Sequence, residues 1–224
     1  MKQFAAQTAR PLPVIILADV SGSMEENAKI HSLKTALQGM IASFAKEGRL
    51  NAEIQVAVVT FGGEGAREHL KLTPAHMIER MDDLVAAGGT PMGSAFRLVA
   101  EIVENKELIP ARAYRPTIVL VSDGWPTDDW EDAFKALTHS ERAKKATRMA
   151  MAIGSDADKK MMASFINDPE TPVFEAHHDQ DIVRFFRAVS MSVTNRSRST
   201  TPNQIEQIDF SSLPDEDDLD LSGF

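Results

Sequence analysis

Val14-Ile15-Ile16-Leu17-Ala18-Asp19-Val20-Ser21-Gly22-Ser23-Met24 decides how this chain is read. Its first five residues form a short, continuous apolar run with β-branched members, the pattern of a strand buried on both faces. Pro11 and Pro13 precede it, and they suit the start of a strand better than its interior. Directly after the run come one carboxylate and two hydroxyls at alternating positions, with Gly22 allowing a tight turn. Asp19, Ser21 and Ser23 therefore project from one loop at the carboxyl end of a central strand, where open α/β sheets bind their ligands. Taken alone, the same run also reads as an ordinary strand-to-helix loop in which Ser23 or Asn27 caps the next helix.

Two further segments carry the same signature. Thr117-Ile118-Val119-Leu120-Val121 is a second buried-strand pattern, and it ends in Ser122-Asp123-Gly124. In Gly88-Gly89-Thr90-Pro91-Met92-Gly93, Thr90 precedes a proline, a residue favoured at the first position of a helix. By itself Thr90 reads as a helix cap and Asp123-Gly124 as a plain turn. In this order, and at these element boundaries, Asp19, Ser21, Ser23, Thr90 and Asp123 predict five oxygen ligands converging at one sheet edge. Hard cations such as Mg²⁺ take such ligands and keep some water.

The set Asp19-x-Ser21-x-Ser23, Thr90 and Asp123 resembles the metal-ion-dependent adhesion site (MIDAS) of von Willebrand factor type A (VWA) domains. The resemblance extends over residues 12–194. It implies a three-layer, Rossmann-like α/β fold, with a mostly parallel central sheet, helices on both faces and one antiparallel edge strand. It also implies that Ser21, Ser23 and Thr90 contact Mg²⁺ (or Mn²⁺ or Ca²⁺), with Asp19 and Asp123 binding directly or through water. The loops Gly88–Gly93 and Ser122–Asp128 are most similar to bacterial intracellular members, the TerY-like proteins of tellurium resistance. Those resemble components of gene neighbourhoods with a Ser/Thr kinase and a PP2C-type phosphatase.

Periodicity along the chain agrees with alternating strands and helices, hence a mostly parallel sheet. Helical spacing marks Lys29–Glu47, Gly93–Asn105, Trp130–Thr138, Asp158–Ile166 and Gln180–Val193, with a short helix at Ala75–Met81. Strand patterns mark Glu53–Phe61, Ala66–Leu72, Thr147–Ile153 and Pro172–Glu175. Residues 1–11 form a lead-in, and 195–224 a separate acidic tail. The tail holds two arginines against seven acidic residues, a net charge of −5, with too little apolar area to fold alone. It reads either as a solvated tail or as a docking segment open to phosphorylation at its Ser/Thr cluster, 197–201. Its acids at 215–218 and 220 would also be placed to cap the metal site.

Composition narrows the setting. Across 224 residues there is no cysteine, so no disulfide framework supports an extracellular life. Residues 1–10 lack the apolar core of a signal peptide, and the longest aliphatic runs are too short to span a bilayer. The expected location is the cytoplasm. A net charge of −9 argues against nucleic acid as a partner.

The function expected from these residues is a non-enzymatic module whose Mg²⁺ captures an Asp or Glu of another protein. Trp125 would contribute apolar contact on the same rim, or else pack over a helix end; Trp130 reads as a helix-packing residue. The alternatives are an assembly subunit of an AAA+ ATPase and a Mg²⁺-dependent aspartyl phosphotransferase. The last lacks a second carboxylate two residues after Asp19, where Ser21 stands, and shows no convincing catalytic lysine. No phosphate-binding or dinucleotide fingerprint is present.

Overall fold

In the computed structural model, which describes residues 9–48, 51–166 and 168–204, the quoted stretch forms the central strand. Strand β1 (Arg10–Asp19) lies between β2 (Ala52–Gly62) and β4 (Thr117–Ser122), parallel to both. Beyond β2 lies β3 (Gly65–Pro74), the one antiparallel neighbour, and beyond β4 lie β5 (Thr147–Ile153) and β6 (Phe174–Ala176). The order is β3-β2-β1-β4-β5-β6. This is the α/β, Rossmann-like architecture expected, with the antiparallel strand at an edge.

Alternation along β1 builds two cores. Leu12, Val14, Ile16 and Ala18 pack with residues of α1 (Lys29–Ala45) and α5 (Asp179–Arg198), among them Leu33, Leu37, Phe185 and Phe186. Ile15 and Leu17 join the opposite core, with Phe96 of α2 (Met92–Glu104), Leu137 of α3 (Glu131–His139) and Phe165 of α4 (Lys159–Phe165). Each fully buried side chain of this size contributes about 1.5–3 kcal/mol over its exposed state. The buried aliphatic β1 is thus what forces helices onto both faces. Strand β3, half-buried along its length, covers only one side of β2, as an edge strand can.

Four expectations need correction. First, β1 begins at Arg10, so Pro11 and Pro13 lie within it. The strand there is paired with β2, while β4 joins only from Val14, and the Pro11 carbonyl accepts from Tyr114 N instead. The prolines are tolerated because the adjacent strand has not yet begun. Second, the helix expected at Ala75–Met81 is a single 3-10 turn, Ala75–Met77. Third, β6 is Phe174–Ala176, two residues later than expected at its start.

Fourth, the boundary at residue 195 falls inside α5, which continues to Arg198. Arg196 is buried there, its guanidinium donating to the Pro202 carbonyl, Thr117 Oγ1 and the Arg115 carbonyl at 2.7–2.9 Å. Asn203 Oδ1 accepts from Arg115 N at 2.9 Å. Ser197, within the expected Ser/Thr cluster, is buried and donates to the Thr194 carbonyl. The acids at 215–218 and 220 lie outside the described residues. Among the described residues, no helix is long and apolar enough to cross a membrane.

Candidate metal centre

The chain leaves β1 to one side through β2 and β3, then returns to place β4 on its other side. The crevice at the carboxyl ends of β1 and β4 is therefore the topological switch point of the sheet, where loops diverge and a ligand fits. Asp19 ends β1, and Asp123 directly follows β4.

Both Asp19 oxygens are engaged. Oδ1 accepts from Ser21 N at 2.7 Å, and Oδ2 accepts from Ser122 Oγ. The side chain is fully buried. Burial pushes the Asp19 carboxyl up to about 6, against the lowering pull of the Ser122 and Ser21 hydrogen bonds; the nearby Asp123 raises it further. Ser21 Oγ and Ser23 Oγ lie 3.1 Å apart, and Ser23 Oγ donates to Asp123 Oδ1 at 2.7 Å. Asp123 Oδ2 accepts from Lys29 Nζ at 2.8 Å. Ser21 is buried and Ser23 exposed, so the cluster opens to solvent on the Ser23 side.

Thr90 reaches this edge through the third loop. Thr90 N donates to Thr127 Oγ1, and the Thr90 carbonyl accepts from Thr127 N, each at 2.9 Å. Its hydroxyl abuts Gly124, where any Cβ would sit 3.3 Å from Oγ1. Ser21, Ser23, Asp19 and Asp123 thus form one hydrogen-bonded set, and Thr90 lies beside it. None of the helix-cap alternatives is seen. Ser23 bonds to Asp123, and the residue before α1 is Ala28. At the start of α2, Met92 N donates to the Thr90 carbonyl rather than its hydroxyl, while Gly93 N and Ser94 N donate to the Asp128 carboxylate, each at 2.8 Å.

Backbone contacts lock the loops together. Val20 O accepts from Ala87 N at 2.8 Å, and Gly22 N donates to Gly88 O at 2.9 Å. The approach demands glycine: a Cβ at Gly62 would lie 2.4 Å from the Val20 carbonyl oxygen, and Gly88, at φ +63°, would place one 2.6 Å from Gly63 Cα.

A cleft of about 510 Å³ continues from the cluster, lined by Ser23, Lys29, Asp123 and Trp125 and by the loops after β5 and β6. Trp125 is 64% exposed on its rim. Trp130 packs edge-to-face on Phe134, centroids 5.6 Å apart, as a helix-packing residue does.

Sequence reasoning missed Ser122, Asp128 and Lys29. Ser122 sits in plain view beside Asp123, but a serine ending a strand reads as turn chemistry. Lys29 opens α1 six residues after Ser23, and nothing in a helical pattern distinguishes it. It arrives at Asp123 because Asn27 and Ala28 adopt left-handed conformations, φ +53° and +55°, just before the helix.

Chemically, the donors are all oxygen, with hydroxyls outnumbering carboxylates. Among the described residues, no group of three or more His, Asp or Glu side chains is placed to hold a metal. The set fits a hard cation that tolerates uncharged ligands, and it fits no soft metal, which would call for sulfur or imidazole.

Comparison with known proteins gives the family. A sequence model described as "von Willebrand factor type A domain" matches residues 14–125, half of the chain. No curated protein matches. Solved structures share the fold. A von Willebrand factor type A protein from Catenulispora acidiphila is 22% identical, with a TM-score of 0.61, over 82% of this chain and 42% of that one. The ArnB paralog VWA2 from Sulfolobus acidocaldarius is 15% identical, with a TM-score of 0.57, over 85% and 46%. Proximal thread matrix protein 1 of the mussel byssus, with a zinc-occupied MIDAS motif, is 16% identical, with a TM-score of 0.60, over 83% and 48%. This chain spans less than half the length of each of these structures. Sequence match and fold agree: the chain belongs to the von Willebrand factor type A domain family.

Proposed function

We propose that Asp19, Ser21, Ser23, Thr90 and Asp123 form a MIDAS that binds Mg²⁺, with Mn²⁺ or Ca²⁺ as substitutes. Through it the protein works as a non-enzymatic binding module for an acidic residue of another protein. The observation that carries this reading is the hydrogen-bonded run Ser21–Ser23–Asp123 at the carboxyl ends of β1 and β4. It gathers hydroxyls and a carboxylate at the switch point of the sheet, where open α/β folds bind their ligands. When bound, the cation supplies a Lewis-acidic centre with an exchangeable water position. Ser21, Ser23 and Thr90 add oxygen donors without adding negative charge, so the centre stays attractive to an incoming carboxylate. Trp125, exposed beside the cleft, supplies apolar contact to the partner, as interface aromatics do.

The burial of Asp19 supports binding over catalysis. A carboxylate nucleophile must be reached by the substrate itself, whereas the Asp19 side chain is fully buried; the lone pair left on each singly hydrogen-bonded oxygen serves a small ion or its water. The structure does bring a lysine to the site, but Lys29 faces Asp123 rather than Asp19.

The TerY-like character of the Gly88–Gly93 and Ser122–Asp128 loops supports a cytoplasmic role in a bacterial stress-response or defence system of the tellurium-resistance type. A Ser/Thr kinase and a PP2C-type phosphatase are the proposed partners. Pull-down from native cell extract tests the reading. A partner retained by the wild type in Mg²⁺, and lost both in EDTA and with Asp19→Ala, is expected. The same proteins retained under every condition would reject it.

A further inference from the structure

Lys29 is the feature that the binding reading does not use. Its ammonium is 2.8 Å from Asp123 Oδ2 and 3.5 Å from the Ser23 carbonyl. The lysine side chain is 17% exposed and the Asp123 side chain 0%. The two Asp123 oxygens are therefore divided: Oδ1 accepts from the Ser23 hydroxyl, and Oδ2 accepts from the Lys29 ammonium at the edge of the cleft. The backbone is bent to allow this. Ala28 and Asn27 occupy left-handed conformations, each costing about 1–2 kcal/mol, and such strain persists only where its surroundings enforce it.

Charge follows from geometry. Asp19 and Asp123, when ionised, give the cluster two negative charges, and Lys29 returns one positive charge. With a divalent cation added, the cluster is neutral without Lys29 and carries one positive charge with it. The other charged residues of the cleft, Glu26, Asp156 and Asp179, are exposed on the rim, where solvent screens them.

We infer that Lys29 is a positioning and charge-setting residue: its ammonium weakens the hold on the divalent cation and strengthens the capture of a carboxylate by the loaded site. This rests on the metal-binding reading above. A tethered cation repels the metal and attracts the anion, so its loss moves the two affinities in opposite directions. A residue that merely supports the fold would move both the same way.

The test uses the intact 224-residue chain and the variants Lys29→Gln, which keeps a donor toward Asp123 without the charge, and Lys29→Arg, which keeps the charge. Mn²⁺ is titrated with free ion followed by electron paramagnetic resonance. Acetate is then added to the Mn²⁺-loaded protein and followed by water-proton relaxation. A unit charge a few ångströms away, in a mostly buried site that opens to solvent on one side, shifts a dissociation constant by about tenfold or more. Lys29→Gln is expected to bind Mn²⁺ about tenfold more tightly and acetate about tenfold more weakly, with Lys29→Arg close to wild type in both. Constants for Lys29→Gln within about twofold of wild type, or moved in the same direction, overturn the inference. If Mn²⁺ binding is seen and is abolished by Asp19→Ala, that failure belongs to Lys29 alone. A wild type that takes up no Mn²⁺ removes the metal reading and this inference together.

Discussion

Ser122 shows most sharply how residues at this site depend on one another. Its hydroxyl donates to Asp19 Oδ2 and accepts from Gly124 N at 3.2 Å, so it orients the carboxylate and shapes the turn that carries Asp123 and Trp125. Partners of this kind, one bond removed from a metal ligand, typically contribute 10–100-fold to metal affinity. Ser122→Ala is therefore expected to weaken Mn²⁺ binding by about 10–100-fold while the circular dichroism spectrum stays unchanged. Direct titration checks it, and unaltered affinity would mean that Ser21 N alone holds Asp19. At this scale the sequence was informative where chemistry repeats at fixed spacing, as in Asp19-x-Ser21-x-Ser23. It was silent on Lys29 and Asp128, whose partners, Asp123 and the amides at the start of α2, lie 94 and about 35 residues away.

Elements explain why those contacts are reproducible. Strands β1 and β4 end together because both are apolar and register Val14 against Thr117 through Ala18 against Val121; a buried strand stops where its polar residues begin. The helices follow from periodicity, and α1, α2 and α3 fall within two residues of their expected bounds. The long connection after Met77 was misread as continuing a helix, because Ile78 and Met81 keep a helical spacing while the chain there runs as irregular structure. What holds that connection is backbone-to-backbone contact at glycines. Gly62→Ala would force a Cβ to within 2.4 Å of the Val20 carbonyl oxygen, so β2 and the Asp19 loop would have to separate. A loss of about 2–3 kcal/mol is expected. Urea denaturation checks it as a lower midpoint at unchanged slope, and a midpoint equal to wild type would show that the loop yields without strain.

Across the whole molecule, the sheet divides the chain into two cores and leaves one polar crevice at its carboxyl edge. This was legible in the sequence, because continuous apolar strand runs succeeded by helical periods imply a mostly parallel sheet covered on both faces. The end of the domain was not. Residues 195–198 look polar, yet Arg196 is buried by donating to three oxygens, a satisfaction that no local pattern announces. The central claim is that this family member holds a cation at the crevice through Asp19. Its most direct test is the stoichiometry of Mn²⁺ bound to the purified intact chain, wild type against Asp19→Ala, by electron paramagnetic resonance. The account predicts saturation at one ion per chain for the wild type and no saturable binding for the variant. A wild type that binds none, or a variant that binds equally, would contradict it.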